Sequence, residues 1–296
     1  MSLIRLAAAT AAFSLLAAPL ALAQNPGPAE ATAFKLGAFQ LAALHDAQFV
    51  IPNNGKVLAT EADRAAASKL LAAAGAPTDT ITLSVDGLLV KTPGHVVVLD
   101  TGLGPAVKGT LIESLAKAGV APGDVTDVFI THAHGDHIGG LITAAKTSAF
   151  PKAAIRMSAN EWAFLQGQAG AKDVAAAIAP KVKTFEPGKP VIPGITPVAL
   201  YGHTPGHVGY RIESQGKTLL DIGDTVHSSI IGLAQPGWDD GFDTDKPLGV
   251  KVRTAEVARL AASKELIFAP HFPFPGVGRI VKAGEGYAWK PDVPGN

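Results

Sequence analysis

Apolar positions fall into short continuous runs separated by longer stretches of helical spacing. Residues 34–44 and 80–92 read as β-type runs, the second bent at Asp86-Gly87, a hairpin-turn dipeptide. Between them, residues 61–74 are rich in Ala and Leu at helical spacing. Residues 95–100 form a short apolar strand. Residues 104–118 then place Val107, Leu111 and Leu115 on one helical face, and 125–130 form the next strand, completing a βαβ unit. That strand runs straight into Thr131-His132-Ala133-His134-Gly135-Asp136-His137, at the strand end where open α/β sheets hold ligands. The second half is organised similarly. A strand at 197–201 feeds Gly202-His203-Thr204-Pro205-Gly206-His207, and a hairpin around Gln215-Gly216 joins 208–214 to 217–221 and leads into Gly223-Asp224. A helix from a Thr254 N-cap through Lys264 precedes a strand at 266–269, which ends at Pro270-His271. Every polar cluster therefore sits just past a strand.

The first residues follow a different pattern. Arg5 supplies a positive start, residues 6–16 are apolar apart from Thr10 and Ser14, and Ala21-Leu22-Ala23 is an A-x-A cleavage site. This predicts a signal peptide over 1–23, cleaved after Ala23, and a secreted or periplasmic protein. Pro19 breaks the apolar stretch short of the ~20 residues of a spanning helix, so no stable membrane insertion is expected. Residues 24–32, rich in Ala, Pro, Asn and Gly, are expected to be a flexible lead-in to one domain over 33–296. With 25 Lys+Arg against 25 Asp+Glu and no long basic run, nucleic acid is excluded as a partner on electrostatic grounds. The absence of cysteine removes thiolate as nucleophile or metal ligand.

The chain has nine histidines, and His132, His134 and His137 fall with Asp136 within six residues. Imidazole and carboxylate are the nitrogen and oxygen donors of borderline metals such as zinc. His203, Asp224 and His271 add further donors, each after its own strand, and the total exceeds the four of a closed zinc site. The surplus points to two divalent ions. The assignment that suits them gives His132, His134 and His203 to one ion and Asp136, His137 and His271 to the other, with Asp224 as bridge.

These residues resemble the metallo-β-lactamase superfamily, whose T-H-x-H-x-D-H loop is matched from Thr131 to His137. The resemblance continues through Leu99-Asp100-Thr101-Gly102, Gly202-His203-Thr204-Pro205-Gly206-His207, Gly223-Asp224-Thr225 and His271. It implies an α/β four-layer αββα sandwich holding a dinuclear centre, most simply two Zn ions. Asp224 resembles the phosphotriesterase, lactonase and thioesterase branches, since true β-lactamases of this fold carry Cys or Ser there. The stretch from His271 to Gly278, with 284–287, is similar to methyl parathion hydrolase and its promiscuous arylesterase and lactonase relatives. The implied activity is hydrolysis of a small-molecule phosphotriester, lactone or aryl ester by a bridging hydroxide, whose pKa two cations bring towards neutrality. A β-lactamase, a glyoxalase II-like thioesterase and a periplasmic zinc-binding protein without turnover are the alternatives. A homodimer is expected from the resemblance alone.

The remaining residues carry finer expectations. Asp136 and Asp224 are expected to take part in the chemistry as well as in metal binding. His227, three residues after Asp224, stands where related lactonases carry tyrosine and is a candidate donor to the substrate oxyanion. His207 and Asp100 are expected behind the ligands, His95 away from them, and His45 near the rim. Among Trp162, Phe164, Trp238, Phe242, Phe272 and Phe274, the last two are the leading candidates for pocket walls because they follow His271.

Overall fold

The computed structural model describes residues 23–25 and 27–295; the expected signal segment, apart from Ala23, lies outside the described residues. The first sheet contains β1 (Ala23–Asn25), β2 (Glu30–Leu36), β3 (Phe39–Pro52), β4 (Thr80–Thr92), β5 (His95–Leu99), β6 (Asp127–Phe129), β7 (Ala154–Ser158) and β8 (Val182–Phe185). Its order is β1-β3-β4-β5-β6-β7-β8, with β2 also paired to β3. The second sheet runs β14-β13-β12-β11-β10-β9, from β9 (Ile195–Ala199), β10 (Val208–Ser214), β11 (Lys217–Asp221), β12 (Leu266–Phe268), β13 (Val277–Ala283) and β14 (Gly286–Pro291). The helices are α1 (Arg64–Ala73), α2 (Leu111–Lys117), α3 (Gly135–Ile138), α4 (Ala159–Gly167), α5 (Lys172–Ile178), α6 (Ile231–Ala234) and α7 (Lys246–Ser263).

The continuous apolar runs have a direct physical reason: both faces of each sheet are covered. Leu41, Leu88, Val90, Val97, Leu99 and Phe129 meet Val208, Tyr210, Ile212, Leu219, Leu266 and Phe268 between the sheets. Their alternates Leu44, Leu89, Val98 and Val128 turn outward against Leu111, Leu115, Leu165 and Ile178. On the opposite side, Leu220, Ile222 and Ile267 pack on Val257 and Leu260 of α7. A side-chain period of two thus builds three apolar interfaces, and the result is the four-layer αββα sandwich.

Several local expectations are corrected. The 34–44 run is two strands joined at Gly37-Ala38, and Glu30 to Thr32, expected in the lead-in, belong to β2 because their backbone pairs with Ala43 to His45. Asp86-Gly87 is no turn: β4 passes through it without interruption. Gly87 instead permits close approach, since a Cβ there would lie 2.7 Å from Leu111 Cδ1. The helix expected over 104–118 is reduced to α2, preceded by a 3₁₀ turn that leaves Val107 38% exposed. The last helix begins at an Asp245 cap, whose carboxylate accepts from Leu248 N at 3.1 Å, and Thr254 lies within it.

Candidate metal centre

Four strand ends converge at one edge of the sandwich. After β6 the chain passes through His132 to His134, which is extended, then makes the single turn of α3, which presents Asp136 and His137. His203 lies between β9 and β10, Asp224 in a 3₁₀ turn after β11, and His271 directly after β12. Two bonds anchor the His132 loop to the other sheet: Val208 N donates to Thr131 O at 3.0 Å, and the buried Tyr210 hydroxyl donates to Ile130 O at 2.7 Å.

All seven side chains singled out in the sequence come together. Donor atoms of His132, His134, His203 and Asp224 lie within 4.8 Å of one another, as do those of Asp136, His137 and His271. Asp224 faces both sets. Its Oδ2 is 3.5 Å from His132 Nε2, 3.4 Å from His203 Nε2 and 3.1 Å from His271 Nε2, and its Oδ1 is 3.3 Å from His137 Nε2.

The outer partners determine which ring nitrogens face inward with a lone pair. His271 Nδ1 donates to Ser84 O at 2.6 Å, His203 Nδ1 to Asp243 Oδ1 at 3.2 Å, and His137 Nδ1 to Asp100 Oδ2 at 2.8 Å. Thr131 Oγ1 gives its own proton to Asp100 Oδ2 at 2.7 Å, so it accepts from His132 Nδ1 at 3.0 Å. In its neutral form each of these four rings therefore offers Nε2 as an acceptor towards the centre. His203 Nε2 lies 3.1 Å from His132 Nε2 and 2.8 Å from His134 Nδ1, a convergence of nitrogens that a cation satisfies. His137 Nε2 and Asp224 Oδ1 are buried without hydrogen-bond partners. Orphan buried polar atoms are costly, and two of them here are donors suited to divalent cations. The residues fit the group that the sequence implies.

Electrostatics divides the imidazoles. Burial pushes His132 and His203 well below the usual imidazole range, and lowers His134, which keeps them neutral. At His137 burial acts in the same direction, but the charges of Asp224, Asp100 and Asp136 overcome it and raise the ring well above its ordinary value. His271 is raised likewise, chiefly by Asp224 against burial. Burial would raise Asp224, yet the surrounding imidazoles, His137 and His271 first, hold it well below the carboxylate range.

His207 and Asp100 stand behind the donors, as expected. His227 faces the centre: Nδ1 meets Asp240 Oδ2 at 2.8 Å and Nε2 meets Asp224 Oδ2 at 3.1 Å. Against burial, the charges of Asp240 and Asp224 raise it well above its ordinary value. His95 lies away from the cluster and pairs with Asp127 at 2.9 Å. His45 is buried behind the cluster, 2.7 Å from Asp86, rather than at its rim.

The aromatic expectations are partly overturned. Phe272 is fully buried in the outer core, its ring 4.9 Å from Trp289, because the turn after β12, closed by Phe272 N donating to Ala269 O at 3.1 Å, carries it to the α7 side. Phe274 packs on His45 at 5.3 Å, and Phe242 is the ring beside the centre, 4.9 Å from His227. Trp162 and Phe164 pack on the core beneath α4, and Trp238 packs on the cluster formed around α1.

The sequence reading found Asp100 but missed Glu161, Asp240 and Asp243 behind the donors. Glu161 is buried and accepts from Ala133 N at 2.6 Å, Thr204 Oγ1 at 2.8 Å and Gly206 N at 2.9 Å, linking two donor loops. Asp240 and Asp243 orient His227 and His203. Only the acidic character of 239–245 hinted at the latter pair.

With this geometry in hand, residues 80–270 match the metallo-beta-lactamase superfamily. The chain belongs to that superfamily. Metallo-beta-lactamase domain-containing protein 1 of Xenopus laevis is 30% identical over 203 residues, which cover 68% of this chain and 75% of the relative. Among solved structures of the superfamily fold, AidC, a dizinc quorum-quenching lactonase in complex with a product, is 28% identical with a TM-score of 0.85, covering 90% of this chain and 99% of that one. The hydrolase AbOPH of the beta lactamase superfamily is 26% identical with a TM-score of 0.82, covering 91% and 100%. The chain is thus a metal-dependent hydrolase by family, with lactonases among its structural neighbours.

Proposed function

We propose that the protein is a dinuclear hydrolase of small-molecule lactones, aryl esters or phosphotriesters, using two divalent cations, most simply zinc. The observation that carries this reading is Asp224, one carboxylate with donor sets on both sides. His132, His134 and His203 would hold one ion and Asp136, His137 and His271 the other. The cations would supply Lewis acidity and a water nucleophile available at neutral pH. With both ring nitrogens protonated, His227 would donate from Nε2 to the substrate oxygen that gains negative charge. Asp136, whose side chain at 16% exposure is the more open of the two carboxylates, would accept a hydrogen bond from the attacking water. Phe242, beside His227, shields that donor from solvent. The similarity to a dizinc lactonase supports the lactone class, and the 271–278 resemblance to methyl parathion hydrolase supports the phosphotriester class.

The test is metal analysis of purified protein, with a panel of acyl-homoserine lactone, aryl ester, paraoxon, nitrocefin and acyl-glutathione. Two ions per chain and turnover of one of the first three classes are expected. Preferred turnover of nitrocefin or the thioester, or bound metal with every class inert, would overturn it. Asp224→Ala should lose bound metal and turnover together.

Export with cleavage after Ala23 is part of the same proposal, supported by Arg5, the apolar 6–16 run and the A-x-A site. N-terminal sequencing of the mature protein checks it. Among the described residues no helix is long and apolar enough to cross a membrane. A homodimer remains proposed from family resemblance, and light scattering tests it.

A further inference from the structure

Behind the donor atoms, one guanidinium reaches towards both halves of the centre. Arg253 lies on the inner face of α7 and is 2% exposed. Its Nη1 donates to Asp243 Oδ2 at 3.0 Å and lies 4.0 Å from Asp240 Oδ2. Its Nε donates to Pro236 O at 3.0 Å and its Nη2 to Trp238 O at 2.8 Å. From there the contacts run inward. Asp243 accepts from His203, whose Nε2 meets His132 and His134, and Asp240 accepts from His227, whose Nε2 meets Asp224. The His227 ring also stacks on His271, at 5.3 Å between centroids and 17° between planes.

A buried guanidinium is tolerable only when its donors are met, and here they meet one carboxylate and two carbonyls, with a second carboxylate nearby. Its rigid fork serves several acceptors simultaneously, which a single ammonium cannot do. Its two backbone contacts also hold the 236–243 segment, which brings Asp240, Phe242 and Asp243 to the centre.

We infer that Arg253 is a positioning residue that, through Asp243 and Asp240, sets the ring orientations of His203 and His227 and thereby the cation affinity of the centre. This rests on the cation-binding reading above. The test is titration of the metal-stripped full chain with Co(II), read by the d–d absorption bands, with far-UV circular dichroism to verify folding. Arg253→Met and Asp243→Asn should each weaken Co(II) binding ~10–100-fold and change the bands, the range typical of outer partners of metal ligands. Arg253→Lys should not restore them. Added to an Asp240→Asn/Asp243→Asn background, Arg253→Met should cost less than about threefold more, because the three act as one unit.

The inference is overturned if Arg253→Met or Asp243→Asn binds Co(II) within about threefold of the parent with unchanged bands, or if the losses multiply as independent effects. Should Arg253→Met fail to fold, the near-isosteric Asp243→Asn decides the matter. Parent protein that binds no Co(II) would overturn the cation reading and this inference with it, whereas parent binding with unaffected variants overturns this inference alone.

Discussion

His207 Nε2 accepts the backbone N–H of Asp224 at 3.0 Å, while its Nδ1 donates to Leu200 O at 2.8 Å. Both ring nitrogens are thereby used, so this histidine positions the bridging carboxylate and is not itself a metal donor. The approach is tight: Gly223, at φ +46°, leaves only enough room that a Cβ would lie 2.5 Å from His207 Nε2. His207→Leu is expected to lower cation affinity ~10–100-fold with every donor still in place. Isothermal titration with Zn(II) measures this, and affinity equal to the parent's would contradict the role.

Glu161 supports a second prediction. Burial raises its carboxyl, while the Thr204, Ala133 and Gly206 donors oppose that rise. Glu161→Ala removes the shared acceptor and strands those buried donors, at about 1–3 kcal/mol for each left unsatisfied. Urea unfolding should show a loss of several kcal/mol, together with weaker metal retention on the His132 and His203 side.

Chelation gives a third. Seven buried or half-buried donors crowd together, two of them with orphan atoms. Stripping with EDTA should lower Tm, and added Zn(II) should raise it progressively, by about 2.7 kcal/mol of stability at one hundred times Kd. A Tm indifferent to EDTA and to zinc would count against the centre.

A fourth lies away from the site. Asp127 opens β6 and pairs with Arg156 at 2.6 Å and His95 at 2.9 Å. Burial would raise its carboxyl, but these partners prevail and hold it below its ordinary value. A depressed folded-state pKa means that stability is present above the unfolded value of ~3.9 and is lost as pH falls through the folded one. Asp127→Asn should therefore cost about 1–3 kcal/mol at pH 7, with the difference from the parent shrinking below about pH 4. Denaturant unfolding at both pH values tests the sign.

The strands on either side of the donors could be read closely from the chain. The 208–221 hairpin falls where its alternation and Gln215-Gly216 place it, since both its strands and its turn are local. Helix starts were harder to read. Thr254 looks like a cap, but the Asp245 carboxylate at the end of the 236–245 segment takes that place, and the helix begins there. Asp86-Gly87 has the composition of a turn but lies within β4, where Asp86 meets His45 and Gly87 makes room for Leu111. Tertiary contact overrides local preference at such points.

Amino-acid order alone established which chemical groups stand at the strand ends and how the two sheets alternate, because donor type and side-chain period are local properties. Folding settled the rest: which ring nitrogen faces inward, which carboxylate stands behind each imidazole, and that Phe242 rather than Phe272 lies beside the centre. Those outcomes depend on contacts such as Glu161 with Thr204 or His271 with Ser84, between residues far apart in the chain. The orientation of an imidazole is set by whatever accepts its outer proton, and no pattern along the backbone records where that acceptor will lie.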